Sequence, residues 1–168
     1  AAFDQIGGMD APWLPSIPGW NGASPDEKWL GIRHPYSPEL HIHRLTDFAI
    51  VAVVTNTWRI RQFEFSPLGD EVAVADRTGI EFWSTTTWQR TRHLTNFNGI
   101  LYSSDARTLW LSTEFSAAGL YDARTTEPLL PLPPNTQPWA LSPDGRYLAA
   151  QVNSRHMQVW DLEEVHRQ

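Results

Sequence analysis

Three histidines lie close together near the start of the chain: His34, and the pair His41 and His43 on either side of Ile42. Alternate side chains of an extended strand share a face, so His41 and His43 have the spacing to hold one metal ion together. No carboxylate or third histidine is read at ligand spacing, and the repeat described below gives both positions a structural meaning, so no metal set is predicted. A Ser-His-Asp hydrolase would carry a Gly-x-Ser-x-Gly elbow, and none occurs. Neither phosphate-binding pattern, Gly-x-x-x-x-Gly-Lys-Ser/Thr or Gly-x-Gly-x-x-Gly, is present. The chain has no cysteine, which removes disulfides, thiolate metal sites and Cys nucleophiles. The expectation is a chain with no catalytic, metal or cofactor site.

The elements that position these residues are read from composition and patterning. With 168 residues, 41% of them hydrophobic and 19% charged, the chain is long enough to bury a core without staples. Aromatics reach 12% and include nine Trp, which favours sheet packing. A net charge of −6 argues against partners such as nucleic acid or an anionic membrane surface. The longest apolar run, Phe48 to Val54, is too short to span a bilayer. The compartment stays open between cytoplasm and export. The chain opens Ala-Ala-Phe without Met, which predicts a processed form or a piece of something longer.

Residues 1–19 carry three Pro and three Gly and read as an extended lead-in, with room for one strand near Met9 to Leu14 that could close a ring. Beyond them a unit recurs. Ser24, Ser66, Ser103 and Ser142 each open a turn, at successive spacings of 42, 37 and 39 residues. Six residues past each Ser stand Leu30, Val72, Leu109 and Leu148, and eight past it Ile32, Val74, Leu111 and Ala150. This alternation places an apolar set on one face of a second strand. A third strand ends at His43, Trp83, Tyr121 and Trp160, which follow their Ser by 19, 17, 18 and 18 residues. Fourth strands are predicted at Phe48–Val54, Gln89–His93 and Pro128–Leu132, the last confined by its prolines to an edge. After Trp160-Asp161 no fourth strand is read, and residues 162–168 look like the first turns of a helix.

Ser-Pro-Asp-Gly-Arg-Tyr-Leu-Ala-Ala (142–150) followed by Met-Gln-Val-Trp-Asp-Leu (157–162) resembles a WD40-type repeat, the four-stranded blade of a β-propeller. The second unit resembles it less closely. The first and third depart from it, with His43-Arg44 and Tyr121-Asp122 where Trp-Asp would stand, and no unit carries the Gly-His dipeptide. The resemblance implies an all-β chain of about four blades, each of four antiparallel strands, at about 20–54, 60–93, 97–132 and 138–161. It leaves three arrangements open: a tight four-bladed ring, an eight-bladed ring shared by two chains, and part of a larger propeller. An incomplete ring finished by another chain or segment is the favoured expectation. The ending Val-Trp-Asp-Leu-Glu-Glu-Val is also similar to the close of WD40 arrays in large bacterial proteins.

In such a blade the loops that join second to third strands, and fourth strands to the next first strand, gather on one face. Here they carry Arg33, His34 and Tyr36; Trp58 and Arg59; Arg77; and Arg155 with His156. Trp, Tyr and Arg are enriched among interface hot spots, so this face is predicted to dock an acidic or Pro-rich peptide. The function expected is a non-catalytic protein–protein interaction scaffold, or a structural subunit or domain of a larger bacterial assembly. The alternative is a ligand-binding or catalytic propeller that uses its central channel. Carboxylates clustered on channel-facing strands would mark that alternative, and the sequence shows none.

Overall fold

The computed structural model describes residues 21–34, 36–113, 118–142, 144–153 and 156–162. The lead-in strand expected near Met9 to Leu14 and the tail from residue 163 onward lie outside them. The described residues form four antiparallel sheets. Sheet 1 consists of β1 (Asn21–Ala23), β2 (Trp29–Arg33), β3 (Glu39–Arg44) and β4 (Ile50–Thr55). Sheet 2 consists of β5 (Gln62–Phe65), β6 (Glu71–Ala75), β7 (Gly79–Ser84) and β8 (Arg90–Thr95). Sheet 3 consists of β9 (Gly99–Tyr102), β10 (Thr108–Ser112), β11 (Ala118–Asp122) and β12 (Pro128–Pro131). Sheet 4 has β13 (Thr136–Leu141), β14 (Tyr147–Val152) and β15 (His156–Asp161) among the described residues.

The repeat in the sequence is a repeat of register. Leu30 pairs with His43, Val72 with Trp83, Leu109 with Tyr121 and Leu148 with Trp160. The turns repeat as well. The residue three past each Ser adopts a left-handed conformation: Glu27 (φ 57°), Gly69 (72°), Ala106 (57°) and Gly145 (73°). Glycine takes this conformation without strain, while Glu27 and Ala106 are held there by the bonds around them. Those bonds come from the Ser and the Asp two residues later. Ser24 Oγ donates to Asp26 at 2.6 Å and accepts the Trp29 amide at 3.0 Å, and Ser103 does the same with Asp105 and Thr108 at 2.7 and 3.0 Å. Ser142 repeats it with Asp144 and Tyr147. Ser66 has Leu68 in place of the Asp and relies on Gly69 instead.

The third-to-fourth hairpins repeat a second device. Phe48, Trp88 and Thr126 all have left-handed φ, and each donates its amide to the residue four before it: Arg44, Ser84 and Asp122. The pairing bulges just before these turns, at Ile42/His43, Phe82/Trp83 and Leu120/Tyr121. This explains why β4 begins at Ile50 and not at the predicted Phe48, which the turn consumes. β12 lies at the outer edge of sheet 3, where its prolines lose no ladder bond.

Sheets 2 and 3 are each covered on both faces by their neighbours in sequence, as the alternation in Glu-Val-Ala-Val-Ala of β6 shows. Val72 and Val74 face sheet 1 and pack with Leu40 and Ile42, while Ala73 and Ala75 face sheet 3 with Ile80 and Phe82. All eight are fully buried. Opposite Phe82 lie Ile100, Tyr102, Leu109 and Leu111 of sheet 3. Trp110, Ala118 and Leu120 carry sheet 3 onto Leu148 and Ala150 of sheet 4. At about 1.5–3 kcal/mol for each fully buried Val, Leu, Ile or Phe, these three interfaces hold the fold together. β1, β5, β9 and β13 approach one another, so the first strands form the inner side of the arc. Among the described residues no helix is long and apolar enough to cross a membrane.

Candidate partner-binding face

The second-to-third turns of sheets 1 and 2 and the connection between them form one surface. At its centre stands the Tyr36 ring, 82% exposed, with the Arg59 guanidinium 5.3 Å from its centroid. Trp58, which precedes Arg59 in the chain, is 53% exposed. These side chains sit on loops that are tied down. Asp76, only 3% exposed, accepts the Thr78 amide (2.6 Å) and hydroxyl (2.7 Å), the Gly79 amide (3.2 Å) and, across the loops, the Trp58 amide (3.2 Å). Burial alone would raise the pKa of Asp76, but these four donors outweigh it and hold the carboxyl below its usual value. Asp76→Ala should therefore cost about 1–3 kcal/mol in urea denaturation, since it strands buried amides.

Arg33, at the end of β2, is a strut more than a contact residue. Its Nη1 donates to the Ile60 carbonyl at 2.8 Å and to the Arg61 carbonyl, which locks sheet 1 to the strand that opens sheet 2. Burial, and then the positive charge of Arg59, lower its pKa. His34 packs edge-on against His41, with ring centroids 5.1 Å apart. Arg77 is exposed in the β6–β7 turn beside Asp76. His156 is exposed at the start of β15, with sheets 2 and 3 between it and Tyr36 along the chain, and Arg155 lies outside the described residues. The structure thus brings Arg33, Tyr36, Trp58 and Arg59 together, with Arg77 on the adjoining loop.

The histidine pair resolves into separate roles. His43 is 6% exposed and its Nδ1 lies 2.9 Å from the Phe48 carbonyl, which fastens the β3–β4 hairpin. His41 Nε2 lies 3.2 Å from Glu39 Oε2, so a carboxylate does stand at alternate spacing here, a neighbour the sequence reading passed over. No group of three or more ligating side chains forms among the described residues.

Sequence reasoning also missed a polar network between sheets 2 and 3. Gln62 and Glu64 alternate with Phe63 and Phe65 on β5 and point to the neighbouring first strand, β9. Gln62 Nε2 donates to the Ile100 carbonyl at 2.6 Å and its Oε1 accepts the Ile100 amide at 3.3 Å. Glu64 Oε1 accepts the Tyr102 amide at 3.4 Å, while Oε2 is buried with no hydrogen-bond partner among the described residues. Burial pushes the Glu64 pKa up to about 7. Tyr102 Oη donates to Glu71 at 2.8 Å, and Arg92 pairs with Glu71 at 2.9 Å. Burial, and next the Glu71 charge, raise the Tyr102 phenol. Glu71, Arg92 and Tyr102 line an open cleft of about 570 Å³ on the opposite side from Tyr36, together with Ser66, Thr91 and Arg124. The period-two pattern Gln-x-Glu on a first strand was the signal available for it.

No protein-family model matches the chain, and no curated protein matches its sequence. Solved structures do match. One is Kuenenia stuttgartiensis hydrazine synthase, with a TM-score of 0.71 and 16% identity over 94% of this chain and 50% of that one. Another is the β-propeller domain of Myceliophteria thermophila Cps50 (Swd1), with a TM-score of 0.73 and 16% identity over 84% of this chain and 50% of that one. The chain folds as a β-propeller. At this identity the likeness concerns fold alone, and the chain spans about half the length of these two solved chains.

Proposed function

We propose that the chain is a non-catalytic protein-interaction module with WD40-type blades, and that it binds a peptide segment of another protein through the Tyr36–Trp58–Arg59 surface. The observation that carries this reading is an exposed aromatic pair with an arginine over one ring, presented on loops fixed by Asp76 and Arg33. Rigid aromatic and Arg anchors bind with little ordering cost. The net charge of −6 supports protein partners over nucleic acid or an anionic membrane. Arg59 and Arg77 favour an acidic peptide, and the flat Tyr36 and Trp58 rings suit a Pro-rich one. A role as a subunit or domain of a larger assembly, bacterial in origin as the array-like ending suggests, follows the same reading.

The test is fluorescence anisotropy with labelled acidic and Pro-rich peptide libraries. Trp58→Ala and Arg59→Ala are each expected to weaken a hit about tenfold or more, as hot-spot truncations do. Arg124→Ala, on the opposite side, should leave it unchanged. Binding that ignores Trp58 and Arg59 would sink the assignment.

A second reading, a ligand-binding or catalytic propeller, has one observation behind it: the buried, unpartnered Glu64 carboxyl oxygen next to the cleft residue Tyr102. Glu64 lies between two sheets and its acid group is taken up in joining them, which favours the interaction module.

A further inference from the structure

Tyr36 and Trp58 share one root. The Asn56 amide donates to the Pro38 carbonyl at 2.9 Å, and from that bond the chain runs two residues back to Tyr36 and two residues on to Trp58. A second bond, from the Ile60 amide to the Ser37 carbonyl at 3.3 Å, joins the same two segments. Asn56 follows β4 directly and is only 6% exposed, while Thr57, Trp58 and Arg59 after it are all exposed. Neither Nδ2 nor Oδ1 of its side chain has a hydrogen-bond partner among the described residues. A primary amide can donate twice and accept twice, so a buried one without any bond is unfavourable and uncommon in native folds. The position itself does not require burial. Asn96 stands at the same point after β8, its amide on the Thr78 carbonyl at 3.4 Å, and it is exposed.

We propose that the Asn56 side chain is a main-chain clamp, pairing through Nδ2 and Oδ1 with one peptide group of a bound acidic segment. The proposal rests on the partner-binding reading of the Tyr36–Trp58–Arg59 surface and narrows its ligand. A peptide group has a carbonyl to accept from Nδ2 and an N–H to donate to Oδ1, the complement of a side-chain amide. Proline has no N–H, so a Pro-rich segment would leave Oδ1 unanswered. Arg59, and Arg77 on the adjoining loop, supply the positive charge that acidic side chains require. The Asn56 amide has no bond to break, so rotation about its two side-chain torsions turns it toward an arriving peptide. Its unmet polarity is a strain on the unbound protein that binding relieves, a pattern common where function and stability compete.

The test is fluorescence anisotropy with three labelled octapeptide pools. One is built from Glu, Asp, Gly and Ser, the second is the same pool with every backbone amide N-methylated, and the third is Pro-rich. The wild-type chain should bind the first pool about tenfold or more tightly than either of the others. Asn56→Leu removes both polar atoms at similar shape. It should weaken the first pool about tenfold and leave the N-methylated pool unchanged, because the two changes remove the same bonds. Without peptide, Asn56→Leu should melt about 2–4 °C higher than wild type, since it replaces a buried amide that has no partner. Asn56→Ala, which needs no extra room, should weaken binding alike and melt within about 2 °C of wild type. If both variants melt about 5 °C or more lower, or neither folds, the amide is bonded within the fold and the proposal is overturned. Equal binding of the plain and N-methylated pools, or undiminished binding by Asn56→Leu, overturns the clamp; the binding face itself stands if Trp58→Ala still weakens the hit. Tighter binding of the Pro-rich pool overturns the choice of an acidic segment. No binding by any pool at about 1 mM overturns clamp and face together.

Discussion

Glu64→Gln is expected to stabilise the protein at pH 8.5 by up to about 3 kcal/mol and to change little near pH 4. The folded-state pKa of about 7 lies above the ordinary 4.5, so the fold favours the protonated acid. The contribution of that proton is fully present below about pH 4.5 and is lost as pH rises through 7. At about 1.4 kcal/mol for each pH unit between the two values, the loss is at most about 3.4 kcal/mol. Its origin is local: Oε1 accepts one amide while Oε2 has no partner, so an ionised Glu64 leaves charge unanswered between two sheets. Gln removes the charge and keeps the shape. The turn aspartates act in the opposite sense. Asp26, Asp76 and Asp105 titrate below the ordinary 3.8, so their contribution is present above that pH and lost as pH falls. Wild-type stability should therefore peak near pH 4 to 5 and fall towards pH 7, and urea denaturation of both proteins from about pH 3 to 8.5 would show it. A parallel fall of both proteins above pH 5 would remove Glu64 as the cause.

Phe82→Ala should cost about 3–5 kcal/mol, the range for emptying a fully buried aromatic site. The ring is 0% exposed and lies in the interface between sheets 2 and 3. The Arg92 guanidinium stacks 3.7 Å from its centroid, held there by Glu71 and by the Ala123 carbonyl. Truncation would open a cavity and leave a cation facing it, which places the loss near the upper end of the range. Leu129→Ala, at a site 53% exposed, should stay within about 0.5 kcal/mol in the same denaturation series. Equal losses for the two would mean that sheets 2 and 3 do not depend on this contact.

The architecture was legible because turn chemistry and side-chain period coincide. Ser24, Ser66, Ser103 and Ser142 mark the same turn, and the residues six and eight beyond them keep one face. A one-residue slip would have sent each apolar side chain to the opposite face of its sheet. The first and third units keep this register although they end in His43-Arg44 and Tyr121-Asp122 where the fourth has Trp160-Asp161, because His43 and Tyr121 fill the same pairing position. Less of the candidate face was legible. Loop membership placed Tyr36, Trp58 and Arg59 together, but nothing local revealed that Asp76 anchors Trp58 or that Arg33 is occupied by two carbonyls. Those bonds join residues 18 and 27 positions apart in the chain. Glu64 was passed over for a related reason. Its burial comes from β9, which arrives 38 residues later.

The side-chain amide of Gln62 bonds both backbone groups of Ile100 and so joins two inner strands that share no ladder. Such a joint fixes distance without fixing angle as strictly as a continuous sheet would. Each sheet leans on its immediate neighbours, and the arc is mechanically a row of stiff plates linked by short pins. In a row of this kind opening starts at the ends and moves inward, since an end plate is held on one side and an inner plate on two. Sheets 2 and 3, pinned by Gln62 and Glu64 and packed around Phe82, are where that progression would stall.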